Sequence, residues 1–162
     1  MTPTPEFVLA LREKIGHDLL WMIGVTAVIL DDAGESVLLC RRADNGQWTP
    51  ITGIVDPGED PAVTAVREAA EEAAVRIRIE GLALVKANPP QRFPNGDQAQ
   101  FLDHTFRARH CEGTAQVNDE ESSEIRWFPL EHLPEMTDRM LERIRAAVQF
   151  DGTTRFIGGQ KA

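Results

Sequence analysis

The stretch GIVDPGEDPAVTAVREAAEEAAV, residues 53–75, places Glu68, Glu71 and Glu72 within a single helical segment, with Glu59 just upstream and no lysine among them. Positions three and four apart share a helix face, so Glu68 lies beside both Glu71 and Glu72. Like charges at that spacing destabilise a helix by about 0.2–0.5 kcal/mol per pair, and a face that served solubility alone would alternate signs. The helix otherwise starts well. Asp60 stands at the N-cap position and Pro61 in the first turn, where its missing N–H is not needed. Ala62, Val66, Ala69, Ala70 and Ala73 make an apolar stripe small enough for close approach to a sheet, with the glutamates to one side of it. Clustered carboxylates without a basic partner suit a hard divalent cation, since magnesium takes oxygen ligands and bridges carboxylates to substrate phosphates. A solvated acidic helix face is the other reading of these three residues.

Moving outward, residues 5–15 carry Phe7, Val8, Leu11 and Ile15 at helix spacing, which predicts a short amphipathic helix. Trp21 to Leu30 reads as a buried strand, DDAG as a turn, and SVLLCRR as the hairpin partner. ADNGQWTPITGIVDPGED is a loop rich in Gly and Pro. Past the acidic helix, strands are expected at 75–85 and 98–109, separated by the loop ANPPQRFPNGD. EIRWFPL predicts a short strand, and 137–149 a second large helix with Met140, Leu141, Ile144 and Val148 facing inward. The order implies one α/β domain over residues 1–150, a sandwich around a mixed sheet, with 151–162 as a flexible tail.

The 162 residues suit a single core. A formal charge of −9 argues against a nucleic-acid polymer as partner, because polyanion binding leaves a basic footprint. A small anion held through a metal stays open, since the cation reverses the local sign. Cys40 and Cys111 have no metal-ligand spacing and are expected as reduced, buried or half-buried thiols. The amino terminus lacks the layout of a signal peptide, and the apolar run at 19–30 is too short to span a membrane. The expected address is the cytoplasm, with no membrane partner.

The spacing of the opening stretch is more informative than its charge. Gly53, five residues, Glu59, seven residues, then Arg67-Glu68-Ala69-Ala70-Glu71-Glu72 and an apolar Val75 resemble the signature box of the Nudix (MutT-like) hydrolases. RRADNGQW upstream and IRWFPL downstream extend the likeness to about residues 20–150. One position departs: the family's glycine after the helix is Ala74. A left-handed residue there costs an alanine about 1 kcal/mol, although the glutamates lie earlier in the box.

The resemblance implies the Nudix fold, an α/β/α sandwich, and hydrolysis of a nucleoside diphosphate linked to another moiety. ADP-ribose, a nucleotide sugar or a nucleoside triphosphate would each qualify. It implies Mg2+, with Mn2+ as a substitute, held by Glu68, Glu71 and Glu72 together with the backbone carbonyl of Thr52. Arg67 and Glu59 would pair and orient those ligands, Arg67 also reaching Glu71. The family adds a late-loop carboxylate as ligand or base; among Asp119, Glu120, Glu121 and Glu124, the distance to Trp127 points to Glu121. His104 and His110 are rival bases. Arg41, Arg42 and Arg92 could contact phosphates, and Trp48, Phe93 or Phe101 could stack on a base. Pro90 lies 15 residues past the box, a spacing found in ADP-ribose-cleaving members. A small nucleotide is the expected partner, and the resemblance admits a homodimer. The alternative is a catalytically silent Nudix-fold module that binds nucleotides or regulates.

Overall fold

The computed structural model describes residues 4–156. Helix α1 (Glu6–Ile15) leads into β1 (Leu20–Leu30) and β2 (Ser36–Arg42), followed by short strands β3 (Trp48–Thr49) and β4 (Ile51–Ile54). Helix α2 (Pro61–Ala73) carries the acidic segment. Then come β5 (Arg76–Ala87), β6 (Gln91–Arg92), β7 (Gln98–Glu112), β8 (Ser122–Pro129), α3 (Asp138–Val148) and β9 (Arg155–Phe156).

The strands form one mixed sheet, ordered β3-β2-β1-β7-β5-β9, with β4 on β1, β6 on β7 and β8 on β2. Its spine is the parallel pair β1–β7, in register from Leu20↔Ala99 to Leu30↔Arg109. A central strand is covered on both faces, which is why every residue from Val25 to Leu30 is buried. Alternate side chains feed two cores. Val25, Ala27 and Ile29 meet Ala65, Ala69 and Ala73 of α2. Val28 and Leu30 meet Ile144 and Ala147 of α3. Val8 of α1 packs on Met22 and Ala99. The sandwich expected from the sequence is therefore present, with α2 on one face and α3 on the other.

Helix α3 is tied down by a buried ion pair absent from the sequence reading. Arg143 lies 3.2 Å from Asp103 and donates to Thr26 Oγ1 at 2.9 Å. Asp103 also accepts from the hydroxyls of Thr26 (2.9 Å) and Thr105 (2.7 Å), so the buried carboxylate is well satisfied.

The structure corrects several local expectations. Asp60 occupies the N-cap position of α2, but its side chain makes no capping hydrogen bond. The buried face of α2 is Thr64, Ala65, Glu68, Ala69, Glu72 and Ala73, while Val66 and Ala70 are exposed. The apolar stripe is thus rotated, and two glutamates turn inward with it. In α3, Val148 is exposed and Arg143 takes an inward position. Cys40 is buried as expected, but Cys111 is exposed near the end of β7. The region past Phe150 was expected as a flexible tail, yet Arg155 and Phe156 pair with Leu84 and Val85; residues 157–162 lie outside the described residues.

Candidate active site

The site begins with a glycine. Strand β4 runs antiparallel to β1 with Gly53 opposite Val25, directly beneath α2. A Cβ at Gly53 would overlap Cγ and Cδ of Glu68, so glycine here lets the Glu68 side chain lie against the strand. Glu68 is consequently buried, as is Glu72 one turn on.

Arg67 answers part of the question the sequence raised. Its guanidinium donates from Nε and Nη2 to both oxygens of Glu59, each at 3.0 Å. Nη1 reaches Glu68 Oε1 and Glu71 Oε2, again at 3.0 Å each. Thr64 Oγ1 also donates to Glu59 Oε2 at 2.7 Å. One cation therefore serves three carboxylates, including Glu68, and the reading of carboxylates without a basic partner is corrected to that extent. With Arg67 bound on both oxygens, Glu59 is held below the usual carboxylate range.

Glu72 receives none of this charge. It faces a narrow cleft lined by Cys40, Arg42, Thr49, Thr52, Glu121 and Ser122. Burial pushes its carboxyl up to about 9, with the charges of Glu68, Glu121 and Asp119 adding to the effect. Burial also lifts Glu68 to about 7 against the opposing pull of Arg67. The Cys40 thiol, buried beside Glu72, is pushed up to about 12. The cleft is a place where negative charge is expensive and incompletely balanced.

Of the four late-loop carboxylates, Glu121 lines the cleft. Its main chain is fixed on both sides: its N–H donates to Asp119 Oδ1 at 3.0 Å, and its carbonyl accepts from Ala43 N at 2.7 Å. Asp119 shapes that turn and acts on Glu72 through its charge. Glu120 is exposed, and Glu124 pairs with Arg126 on β8.

The phosphate and base candidates divide. Arg42 lines the cleft, its guanidinium held by Asp44 through bonds of 2.9 and 2.6 Å. Arg41 points away on the alternate side of β2 and bonds the carbonyl of Gly46 at 3.1 Å. Trp48 joins the α3-side core, edge-on to Phe128 at 4.8 Å, and does not reach the cleft. Arg92 is exposed on β6, and Phe101 packs beside α1. His110 is engaged with the Gly113 carbonyl at 2.9 Å. His104, paired in register with Val25, has a buried Nδ1 without a hydrogen-bond partner.

Sequence reasoning missed Cys40, Thr49, Ser122 and Thr64. Small or hydroxyl side chains carry no spacing signature, and β3 was read as loop. Ala74 adopts φ 56°, ψ 29°, and is the one non-glycine residue with positive φ among the described residues. The helix ends as a glycine would end it, with Ala74 N and Val75 N bonding back to the carbonyls of Ala70 (3.2 Å) and Ala69 (3.3 Å).

Comparison with known proteins shows the family. The family model for the NUDIX domain matches residues 20–148. A CMP-5'-(N-acetyl-N-hydroxy-3-aminopropyl)phosphonate hydrolase from Streptomyces rubellomurinus is 28% identical, over 76% of this chain and 60% of its own length. An NAD-capped RNA hydrolase NudC from Pseudomonas syringae is 29% identical, over 73% of this chain and 41% of its own. The chain thus spans only part of the length of these relatives. The crystal structure of an ADP-ribose pyrophosphatase from Streptococcus suis superposes with a TM-score of 0.63 at 20% identity, covering 83% of this chain and 98% of that one. With the family model matching most of the chain, over the acidic helix and both flanking strands, this protein belongs to the NUDIX domain family.

Proposed function

We propose that this protein is a Mg2+-dependent hydrolase that cleaves the pyrophosphate linkage of a nucleoside diphosphate joined to another moiety. The observation that carries the reading is the cleft itself. Two buried carboxylates, Glu68 and Glu72, sit near a third, Glu121, with a single arginine fork spread over Glu59, Glu68 and Glu71.

The donor chemistry fits a hard divalent cation: carboxylate and carbonyl oxygens, no thiolate set, and incompletely balanced negative charge that a cation would relieve. Among the described residues, no three His, Cys, Asp or Glu side chains converge closely enough to hold an ion as they stand. Thr52, Glu72 and Glu121 line the cleft, and Glu68, Glu71 and Glu72 with the Thr52 carbonyl would hold the metal. When bound, such a cation neutralises phosphate charge and acidifies water. The chain's own residues do the rest. Arg67 and Glu59 fix the orientation of Glu68 and Glu71, and Gly53 provides room for Glu68. Arg42 offers a guanidinium to a phosphate oxygen. Glu121, on the opposite wall from α2, accepts a proton from the attacking water.

The relatives named for a CMP-phosphonate, capped RNA and ADP-ribose all carry a nucleotide, which supports a nucleotide substrate for this chain without choosing one. With an overall charge of −9, a small nucleotide is favoured over a polymer. The test is release of nucleoside monophosphate from a panel of ADP-ribose, nucleotide sugars, dinucleotides and triphosphates, with Mg2+ and with EDTA. Cleavage of at least one member, abolished by EDTA, is expected. Undiminished cleavage in EDTA contradicts the reading.

A further inference from the structure

On the face opposite α2, between α3 and the strand pair β5–β9, runs a groove of about 1040 Å3. That size accommodates a nucleotide-sized ligand. Its walls carry Lys86, Arg139, Arg145 and Arg155 against two acids, Asp138 and Glu142. Lys86 is committed to Glu142 at 2.6 Å. Arg139, Arg145 and Arg155 make no ion pair among the described residues. In a chain with 26 acidic and 17 basic side chains, three guanidiniums on one groove with no ion pair among the described residues run against the composition.

The groove is also well supported. Arg143 beneath it is neutralised by Asp103, so its charge is already spent, while its bonds to Thr26 and to Asn88 Oδ1 (3.3 Å) fix α3 over the strands. Asn88, which lines the groove, is 5% exposed, and its carbonyl accepts from Gln100 Nε2 at 2.9 Å. Arg139 and Arg145 stand on α3 six residues apart, about 120° apart around the helix, and Arg155 lines the groove from the edge strand β9. The amino-terminal turn of α3, capped by Thr137, opens on the same groove and adds its partial positive charge, partly offset by Asp138.

We propose that this groove binds a small ligand carrying a phosphate chain, at a site separate from the acidic cleft. Guanidiniums spread along a groove suit a chain of several phosphate groups better than a single carboxylate, since each can take two oxygens. The α2 face and the α3 face are divided by the sheet, so such a ligand leaves the acidic cleft free.

The experiment is isothermal titration calorimetry with inorganic tripolyphosphate in metal-free buffer, where the acidic cleft has no cation with which to hold phosphate. The parent should bind one tripolyphosphate per chain. The variant R139A/R145A/R155A should bind about tenfold more weakly or worse, as expected for losing charge-assisted bonds. Glu68→Gln should bind like the parent. If the triple variant melts early, the single exposed change Arg145→Glu decides, with the same direction of effect. Equal binding by parent and charge-depleted variants overturns the proposal, as does loss of binding in Glu68→Gln. A 5′-phosphorylated oligonucleotide that binds where tripolyphosphate does not overturns it too, in favour of a nucleic-acid surface. None of these readouts depends on hydrolysis, so failure here is distinguishable from failure of the proposed activity.

Discussion

Glu68→Gln separates the roles that charge plays in α2. Glu68 is 6% exposed, and burial holds its carboxyl at about 7 against an ordinary 4.5, despite Arg67 at 3.0 Å. A raised folded pKa means that the protonated form favours the fold. The contribution is complete below pH 4.5 and is lost as pH rises through 7. At about 1.4 kcal/mol per pH unit, the ionised side chain costs the fold roughly 3 kcal/mol at pH 8. Water entering around the charge reduces this to about 1–3 kcal/mol. Gln keeps the size and helix propensity and removes the charge. Without metal at pH 8 the variant should therefore be more stable than the parent by about 1–3 kcal/mol, or about 2–4 °C in Tm for each kcal/mol. At pH 5 the advantage should shrink below about 1 kcal/mol. With Mg2+ at a thousand times its Kd the parent gains about 4.1 kcal/mol, and the order should reverse. The assay is thermal melting of both proteins at the two pH values, with EDTA and with Mg2+. A variant clearly less stable than the parent at pH 8 in EDTA would refute the reasoning, because the Arg67–Glu68 bond would then outweigh burial.

Three further outcomes follow from particular contacts. Ala74→Gly should stabilise by up to about 1 kcal/mol, the relief at φ 56° exceeding the added freedom of the unfolded chain; chemical denaturation reads it. Glu121→Gln should reduce turnover far more than Glu120→Gln or Glu124→Gln, since only Glu121 of the three lines the cleft; comparable mild losses in steady-state kinetics would remove its special role. Glu80, held at about 2 by Arg109 and Arg107, contributes stability above pH 4.5 that is lost as pH falls through 2. Glu80→Gln should therefore be destabilising at pH 7 and indistinguishable from the parent near pH 2 in pH-dependent melts.

Much of the fold was readable because its signals are local. The limits of β2 follow from SVLLCRR, and α1, α2 and α3 each fall within a residue or two of their expected ends. The parallel pairing of β1 with β7 was not readable, since about 80 residues separate partners such as Leu20 and Ala99 and no local rule links them. Strands of two residues, such as β3 and β9, are too short to show a period. In the site, box spacing located Glu59, Arg67 and the three helical glutamates. It did not show that Glu68 and Glu72 turn inward; for Glu68 this depends on the space that Gly53, lacking a Cβ, leaves to its side chain. Trp48, which the sequence offers as a ring able to stack on a base, packs edge-on to Phe128 instead.

The most direct test of the central claim is turnover of Glu72→Gln beside the parent, with Mg2+, on whichever nucleotide of the panel is cleaved fastest. Glu72 lies 4% exposed at the centre of the cleft, with no arginine on its carboxylate and its pKa raised to about 9 by burial and neighbouring charge. A residue that holds the metal should lose more than about a hundredfold in kcat/KM when neutralised, beyond what a merely supporting residue loses. The fold should be retained, with a melting temperature in EDTA at or above that of the parent. A folded Glu72→Gln protein that turns over within about threefold of the parent would contradict the assignment of this cleft as the active site.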